Sequence, residues 1–165
     1  MKVARITLSD RAVAGIYADA SGPEIERVVA AQFAGPIEWT RVLLGDDRPA
    51  LESELRRLAD VERCPLILTT GGTGPAPRDV TPEATRAVLE KELPGFGELL
   101  RLQNYSRVRT SILSRGTAGV RGRSLIINLP GRPAAIEQSL PLLTPAIVEA
   151  LDHIAGFRPE IRRPL

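Results

Sequence analysis

The sequence predicts an α/β fold of three layers, in which helices flank a mainly parallel central sheet that also carries a small hairpin. In the first half of the chain, strand-like apolar segments alternate with amphipathic helical segments, and this alternation is typical of a parallel sheet with crossover helices. The third strand-like segment contains the run Leu66-Ile67-Leu68. Such a run predicts burial on both faces, as strands in a parallel sheet require.

The predicted strands cover residues 3–8, 37–44 and 65–70, and a hairpin covers 119–129. The hairpin is expected to turn at Val-Arg-Gly-Arg-Ser and to return as Ser-Leu-Ile-Ile-Asn-Leu. In sheets of this kind ligands bind beyond the carboxyl ends of the strands. Because each predicted strand is followed by polar or glycine-rich residues, we expect these segments to meet at one site.

Helix boundaries are predicted from caps and prolines. Ser21–Glu24 has the spacing of a capping box, and Gly35 is suited to end that helix in the left-handed conformation. Thr81 and the proline after it predict the start of a helix that runs to residue 93. In the same way, Thr144 and the proline after it predict the start of the final helix.

Composition limits the class of protein. At 165 residues the chain is expected to form one domain, which we place at residues 1–156, with a surface tail over 157–165. No apolar run reaches the roughly 20 residues of a membrane span, and a strand pattern directly after Met1 argues against a signal peptide. Cys64 is the single cysteine, so no intramolecular disulfide can form. We therefore expect a soluble protein of the cytoplasm.

Charge and reactive residues exclude further classes. The formal net charge is +2, the basic residues are scattered along the chain, and aromatic residues make up only 4%, which argues against a nucleic-acid-binding surface. No Ser–His–acid arrangement is found. His153 has helical spacing to Ile147 and is interpreted as a partly buried structural histidine, and Cys64 is interpreted as core packing.

The strongest functional signal is the segment TTGGTGPAPRDVTPEAT, which begins at Thr69 directly after the third strand. Backbone N–H groups of a turn such as Gly71, Gly72, Thr73 and Gly74 can form an anion-binding concavity, and glycine lets a phosphate approach without a Cβ in the way. The loop has neither the Gly-Lys-Ser/Thr of a Walker loop nor the third glycine of a dinucleotide fingerprint. The loop alone leaves a phosphate site and a plain turn open.

Two carboxylates favour the phosphate site. Asp46 follows the second strand and Asp79 follows the glycine loop. Singly, each is most simply a residue beside a helix cap. Together, at neighbouring strand ends, they predict a Mg²⁺ site of one or two carboxylates completed by phosphate oxygens and water. Arg78 could neutralise phosphate charge, or it could be an ordinary exposed loop arginine.

Three more polar segments at strand ends could bind a substrate or could simply turn the chain. These segments are Ser9, Asp10 and Arg11 after the first strand; Ser114 and Arg115 before the hairpin; and Asn128, Pro130 and Gly131 after the hairpin.

Taken in order, four motifs resemble those of the MogA/MoaB family of molybdenum-cofactor proteins. They are TTGGTGPAPRDVTPEAT, PGFGELLR, TSILSRGTAGVRG and SLIINLPGRP, and the resemblance also includes the Ser-Asp-Arg and Gly-Asp-Asp segments. It spans nearly the whole chain. The motifs are nearest to the molybdopterin adenylyltransferase (MogA) type and are similar to the matching domain of gephyrin. Some MogA proteins carry an extra segment before the final helix; this chain lacks it, as MoaB proteins do, so the subgroup stays open.

The resemblance implies a reaction: molybdopterin and MgATP give adenylylated molybdopterin and pyrophosphate. It implies that Asp46 and Asp79 are the essential carboxylates that hold Mg²⁺ or orient the attacking phosphate, and that the glycine loop with Arg78 binds the nucleotide phosphates. It assigns the other polar segments to molybdopterin, namely Ser9, Asp10, Arg11, Ser114, Arg115, Asn128, Pro130 and Gly131. A homotrimer and transfer of product to a molybdate-inserting enzyme are also implied.

Two alternatives remain from the sequence. One is a MoaB-like protein that binds molybdopterin with little or no turnover. The other is a trimeric, non-catalytic binding module, as gephyrin-like domains also serve in assembly. A pure scaffold would have no need for both Asp46 and Asp79 beside one glycine loop, so these carboxylates favour the enzyme.

Overall fold

The structure of the chain, a computed structural model, describes residues 1–162. Within these residues the strands are β1 (Lys2–Leu8), β2 (Glu38–Leu44), β3 (Leu66–Thr70), β4 (Lys91–Glu92), β5 (Ala118–Arg121) and β6 (Ser124–Leu129). The α-helices are α1 (Asp10–Val13), α2 (Ser21–Gln32), α3 (Arg48–Arg56), α4 (Thr81–Val88), α5 (Gly95–Tyr105) and α6 (Pro133–Ala155). A π-helical turn (Arg57–Val61) extends α3, and a 3-10 turn (Arg109–Leu113) follows α5.

The strands form one sheet in the order β2-β1-β3-β6-β5-β4. The first four are parallel neighbours, while β5 and β4 add an antiparallel edge. The predicted hairpin is present as β5 and β6, and its turn contains Gly122 at a φ of +54°. The mainly parallel α/β sheet predicted from the sequence is therefore confirmed.

Helices cover both faces of the sheet, as the buried run in β3 predicts. On one face α2 and α6 pack against a cluster that includes Val3, Leu68 and Ile127. On the other face α3 and α4 pack against a cluster that includes Ile6 and Ile67. Alternate residues of each central strand enter opposite clusters, because successive side chains of a strand point to opposite faces.

The strand order reverses between β1 and β3, and this point of reversal determines where the site lies. From β1 the chain crosses to β2 on one side and then returns to β3 on the other side. The connections therefore leave a crevice beyond the carboxyl ends of β1 and β3, which is where open α/β sheets bind ligands. Ser9 follows β1 and Gly71 follows β3 at this crevice.

The prediction that the final helix begins at Thr144 is wrong. Helix α6 begins at Pro133 and contains both Pro141 and Pro145. The Thr144 hydroxyl donates to the Leu140 carbonyl inside the helix and is not a cap. Proline in a helix interior costs about 3 kcal/mol, but this helix buries one continuous apolar face against the sheet, and that burial offsets the cost.

The prediction that the helix after Thr81 runs to residue 93 is also wrong. Helix α4 ends at Val88, and Lys91 and Glu92 pair with β5 instead. The pairing is possible because Gly119 has no side chain: a Cβ there would lie 2.3 Å from the Lys91 carbonyl oxygen. Tertiary pairing thus overrides the helix propensity of this segment.

Three predicted caps differ from the observed ones. The first turn of α2 is capped by Asp19, whose carboxylate accepts from the N–H groups of Ser21 and Gly22 at 3.0 and 2.9 Å. The Thr81 hydroxyl donates to the Gly71 carbonyl at 2.9 Å instead of capping α4. Gly35 has a φ of +79° as expected, but α2 has already ended at Gln32.

The segment after α6 lies along the surface and is anchored by hydrogen bonds to the end of α2, among them one from the Arg162 N–H to the Gln32 carbonyl. Residues 163–165 of the predicted tail lie outside the described residues. Cys64 is buried as expected, but His153 is exposed beside Glu149, so its predicted partial burial is wrong. None of the helices in residues 1–162 combines the length and apolar character that a membrane crossing requires.

Candidate active site

The glycine loop, Gly71–Gly74, separates two cavities at the carboxyl end of the sheet. One cavity, here called the carboxylate pocket, has a volume of about 310 Å³ and includes Gly72 in its wall. The other, here called the large pocket, has a volume of about 400 Å³ and includes Thr73. Neighbouring residues of one loop therefore face two different spaces.

The carboxylate pocket brings together three of the strand-end segments singled out from the sequence. Its lining consists of Leu8, Ser9, Asp10, Arg11, Tyr17, Asp46, Gly72 and Asp79. Asp10 and Asp46 are joined directly, because the Asp46 N–H donates to the Asp10 carboxylate at 2.9 Å and the Asp10 N–H donates to the Asp46 carboxylate at 3.4 Å. The first and second strand ends are thereby locked together.

Asp46 is the carboxylate whose charge is least favoured by its surroundings. Partial burial raises the pKa of its carboxyl, and the negative charges of Asp10 and Asp79 raise it further; the Asp10 backbone N–H and Arg78 act in the opposite direction. The side chain thus faces two other carboxylates with only partial compensation. A cation placed here would lower the electrostatic free energy of the site.

Asp10 is stabilised as an anion. The Asp46 N–H and the Arg78 guanidinium both hold the pKa of the Asp10 carboxyl below its usual range. The Arg78 Nε–H donates a hydrogen bond to that carboxylate at 3.1 Å, and Nη2 also pairs with it. The Arg78 side chain is largely exposed, so an anionic ligand can compete for it.

An aromatic side chain closes the other side of this pocket. The Tyr17 hydroxyl lies 2.7 Å from the Ser9 hydroxyl, and the Arg11 guanidinium lies 5.2 Å from the centre of the Tyr17 ring. The cation–π contact and the hydroxyl pair fix Ser9 and Arg11 relative to each other.

The glycine loop has a shape that other residues could not adopt. Gly71 has a φ of +92°, and a Cβ there would lie 2.3 Å from the Leu8 carbonyl oxygen. Gly72 has a φ of +60°, and a Cβ there would lie 2.5 Å from the Thr81 hydroxyl and 3.2 Å from an Asp46 oxygen. Glycine is therefore required both by backbone conformation and by the close approach of β1 and Asp46.

Arg115 braces the same loop from the side of the large pocket. Its backbone N–H donates to Thr73 O at 2.8 Å, Nε donates to Gly74 O at 2.8 Å, and Nη2 donates to Asp79 O at 2.9 Å. Nη1 pairs with the Glu83 carboxylate. The sequence assigned Arg115 to ligand binding, but the structure directs its hydrogen bonds to the loop that carries Asp79, and it does not line either pocket.

Glu83 completes this brace. Burial raises the pKa of the Glu83 carboxyl, but the hydrogen bond and the charge of Arg115 outweigh that effect, so the pKa lies below its usual range. The carboxylate is therefore ionised beside Arg115. Glu83 also lies in the first turn of α4, where an acidic side chain interacts favourably with the helix dipole.

The large pocket lies between α5, the 3-10 turn and the start of α6. Ser114, Asn128, Pro130 and Gly131 line it, as expected for the segments before and after the hairpin. The structure therefore divides the residues that the sequence grouped as molybdopterin ligands: Ser9, Asp10 and Arg11 lie in the carboxylate pocket instead.

Asn128 has mainly structural hydrogen bonds. Nδ2 donates to the hydroxyls of Thr69 and Thr85 at 3.0 and 2.9 Å, and Oδ1 accepts from the Thr117 N–H at 3.2 Å. Of the two interpretations that the sequence left open, a ligand rim and a structural corner, these contacts support the corner. Asn128 joins β3, α4 and β6 under the site.

The residues present fit a hydrated Mg²⁺ rather than a metal held in a complete protein cage. Asp46 carries a charge that its burial and its carboxylate neighbours oppose, as a site for a cation requires. Within residues 1–162 no cluster of three or more acidic, histidine or cysteine side chains is arranged to enclose a metal by itself. Mg²⁺ characteristically binds through one or two carboxylates and takes its other ligands from phosphate and water.

Sequence reasoning did not identify Tyr17, Arg101 or Asn104 as pocket residues. Arg101 and Asn104 have one signal that could have found them. They lie three residues apart on α5, so they share a helix face with Gly97 and Leu100. Tyr17 lies in an irregular segment and has no such signal.

Comparison with known proteins identifies the family of the chain. Residues 4–149 match the sequence profile of a family described as a probable molybdopterin binding domain. This chain belongs to that family. The matched range includes the carboxyl ends of the strands that line both pockets, and it includes most of α6.

Two similar proteins are both named molybdopterin adenylyltransferase. The chain is 47% identical over 151 residues to the molybdopterin adenylyltransferase of Helicobacter pylori J99, covering 92% of this chain and 86% of that protein. It is 43% identical over 140 residues to the molybdopterin adenylyltransferase of Escherichia coli K12, covering 85% of this chain and 72% of that protein.

The fold is shared with a crystal structure of the same family. The molybdopterin biosynthesis enzyme MoaB of Thermus thermophilus superposes with a TM-score of 0.86 at 44% sequence identity, and the match covers 95% of this chain and 98% of that one. The MogA/MoaB resemblance and the three-layer fold are both confirmed.

Proposed function

We propose that this protein is a molybdopterin adenylyltransferase, which transfers AMP from ATP to the terminal phosphate of molybdopterin and releases pyrophosphate. The observation that carries the proposal is the pair of cavities on either side of the glycine loop. Two substrates can approach one phosphate-binding turn from opposite sides, and the carboxylates lie on one side only. The names of relatives at 43 to 47% identity support the same reaction.

The two pockets have different chemistry, which suggests one substrate for each. The carboxylate pocket, with Asp46, Asp79 and Arg78 at its edge, suits the charged triphosphate of MgATP. The large pocket has apolar walls from Leu100, Val108 and neighbouring alanines, and these suit the pterin ring system. The N–H groups of the glycine loop would lie where the two phosphate groups meet.

The reaction needs positioning and charge neutralisation more than a protein nucleophile. A phosphate oxygen of molybdopterin forms a bond to the α-phosphorus of ATP, and the bond from that phosphorus to the bridging oxygen of the β-phosphate breaks. Mg²⁺ bound with the nucleotide supplies neutralisation of the phosphate oxygens. Asp46 and Asp79 would hold this cation and orient the phosphates. Arg78 would release the Asp10 carboxylate and bind a phosphate oxygen instead.

Arg115 contributes to the same chemistry indirectly. Its bonds to the carbonyls of Gly74 and Asp79 hold the loop in the conformation that presents the Asp79 carboxylate to the carboxylate pocket. In this proposal Arg115 is a positioning residue, while Ser114, Pro130 and Gly131 remain proposed contacts for molybdopterin in the large pocket, and Asn128 supports them from below.

The second candidate is a MoaB-like protein that binds molybdopterin with little turnover. The absence of the extra segment before α6 favours it, because that absence is part of the resemblance to MoaB proteins. The carboxylate pair favours the enzyme. The surroundings of Asp46 disfavour its negative charge, as its raised pKa indicates, and a protein that only binds molybdopterin would have no use for that arrangement.

Further expectations complete the proposal. We propose that the protein acts in the cytoplasm, assembles as a homotrimer and passes its product to a molybdate-inserting enzyme. These properties are implied by the resemblance to the MogA/MoaB family.

The deciding experiment measures pyrophosphate release from MgATP in the presence of purified molybdopterin, in the parent protein and in Asp79→Asn. The parent should release pyrophosphate, and the variant should lose at least about 100-fold in kcat, because a neutral amide is a poor Mg²⁺ ligand. Asp60→Asn, which alters an exposed aspartate paired with Arg121 away from the pockets, is the matched control and should retain full rate.

The outcomes separate the two candidates. A parent that binds molybdopterin tightly but releases no pyrophosphate is a binding protein of the MoaB kind. Full activity in Asp79→Asn would instead leave the enzyme in place and remove Asp79 from the mechanism.

A further inference from the structure

The large pocket contains a buried polar side chain that the motifs and the carboxylate chemistry leave unexplained. Asn104 lies on α5 and only 9% of its surface is exposed, yet it lines the pocket. Buried side-chain polar groups are almost always hydrogen-bonded, so each atom of this amide should have an identifiable partner.

The amide of Asn104 can have only one orientation. Nδ2 donates to Leu100 O at 2.8 Å and to Ser139 Oγ at 3.0 Å. A backbone carbonyl can only accept a hydrogen bond, so the amide nitrogen must face Leu100 and Oδ1 must point away from it. Ser139 is itself fully buried, which fixes the amide from the α6 side.

The oxygen of this amide is left available. No donor in residues 1–162 makes a hydrogen bond to Oδ1. Within these residues, Glu83 Oε2 is the single side-chain polar atom that is fully buried and has no hydrogen-bond partner. Asn104 Oδ1 also has no partner, so it cannot be fully buried, and Asn104 is a lining residue of the large pocket. The pocket thus contains a fixed, pre-oriented hydrogen-bond acceptor.

The surroundings of this acceptor favour a flat ring with a donor edge. Leu100, Val108 and Ala135 provide apolar walls. Arg101 is fixed at one side, because its Nη1 donates to the carbonyls of Ser114 and Gly116 at 3.2 Å each. Apolar walls with a few placed polar groups are the usual construction of a small-molecule site.

We propose that Asn104 is a specificity-determining residue whose Oδ1 accepts a hydrogen bond from the exocyclic amino group of a pterin ring bound in the large pocket. Ser139 is the positioning residue that keeps the amide in this orientation. The inference rests on the proposed function for the identity of the ring. Adenine also carries an exocyclic amino group, so the test must separate the two rings.

The test measures dissociation constants for three probes: 2-amino-4-oxopteridine, its analogue without the 2-amino group, and MgATP. The proteins are the parent, Asn104→Leu, and the control Gln103→Leu, which changes the exposed neighbour on α5 that does not line the pocket. Leucine keeps the branched shape of asparagine and removes both polar atoms.

The parent should bind the aminopteridine about tenfold more tightly than the deamino analogue, the size expected for one neutral hydrogen bond in a buried site. Asn104→Leu should bind both pteridines equally and MgATP normally, and Gln103→Leu should behave as the parent. Ser139→Ala should lose part of the discrimination while retaining cooperative unfolding.

Three results would overturn the inference. They are a parent that does not discriminate between the two pteridines, an Asn104→Leu variant that still does, and a variant that loses affinity for MgATP instead of for pteridine. If Asn104→Leu fails to fold, the loss of discrimination in Ser139→Ala decides the matter, because that variant releases the Asn104 amide without removing it. Pyrophosphate release measured on the same samples tests the proposed function separately, because a parent that discriminates between pteridines without turnover contradicts only the enzyme.

Discussion

At the scale of one residue, Asp46 shows how a charged group in a binding site can lower the stability of the folded protein. The Asp46 N–H bonds to the Asp10 carboxylate and the Asp10 N–H bonds to the Asp46 carboxylate, so the two negative side chains are held close together. The raised pKa of Asp46 is the measurable sign of that conflict. Binding sites commonly retain such unfavourable groups because the ligand compensates them.

The residue scale yields a prediction about stability. In the absence of nucleotide and divalent ions, Asp46→Asn should raise the melting temperature by about 1 to 3 °C, the shift expected in a chain of this size for less than 1 kcal/mol. The physical reason is that asparagine removes a partly buried negative charge. Thermal unfolding in EDTA measures the effect, and Asp47→Asn, which changes only an exposed N-cap residue, should not raise the melting temperature.

The pH dependence of this difference has a definite sign. Because the folded-state pKa of Asp46 is raised, the folded protein holds the proton more tightly than the unfolded chain does. The contribution of Asp46 to the free energy of unfolding of the parent therefore falls as pH rises from the ordinary carboxyl value of about 4 through the raised pKa. The stability advantage of Asp46→Asn should be small at low pH and full at neutral pH; an advantage that grows on acidification would contradict this origin.

At the scale of elements, the glycine loop is shaped by its neighbours as much as by its own residues. β1 approaches Gly71 closely, the Thr81 hydroxyl donates a hydrogen bond to the Gly71 carbonyl, and Arg115 binds three further carbonyls. The loop therefore joins β1, α4 and the segment before β5. A phosphate that binds to it meets a surface already organised.

Arg115→Met tests this brace. The variant keeps an unbranched side chain but loses the bonds to Gly74, Asp79 and Glu83. We expect a loss of about 1–3 kcal/mol in the free energy of unfolding, since it leaves Glu83 charged without its partner, and a fall in kcat of about 10- to 100-fold, with little change in pterin affinity. Urea unfolding and pyrophosphate release measure the two effects.

Arg121→Met is the matched control, because Arg121 makes a comparable set of bonds to Asp60 and Val88 away from the pockets. It should lose stability but retain kcat. If Arg115→Met instead weakens pterin binding and leaves kcat unchanged, Arg115 is a ligand contact, as the sequence resemblance implied.

The sequence predicted those elements whose signals are local. The Leu-Ile-Leu run predicted β3, and the polar segments after strands predicted where Asp46 and Asp79 would meet. The start of α6 and the end of α4 could not be predicted, because both depend on tertiary burial and strand pairing that override proline and helix propensity. The direction of a side chain could not be predicted either, because nothing local distinguishes Arg115, directed to the loop, from a ligand contact.

At the scale of the whole molecule, the site is a product of strand order. Asp10, Asp46 and Asp79 come from segments far apart in sequence, and they meet because β1 lies between β2 and β3. The large pocket depends on the other half of the sheet, where β6 leads into α6. One crevice therefore receives residues from both halves of the chain, and both substrates can meet there.

The position of β2 at the edge of the sheet has a consequence for solubility. An edge strand offers unpaired N–H and C=O groups to other chains, and charged side chains are a usual protection against such self-association. Arg41 supplies that protection in the middle of β2, where its exposed guanidinium makes two hydrogen bonds to Glu26 of α2. Arg41→Val would leave the apolar run Val42-Leu43-Leu44 unguarded and should increase light scattering on warming, whereas Arg41→Lys should remain clear.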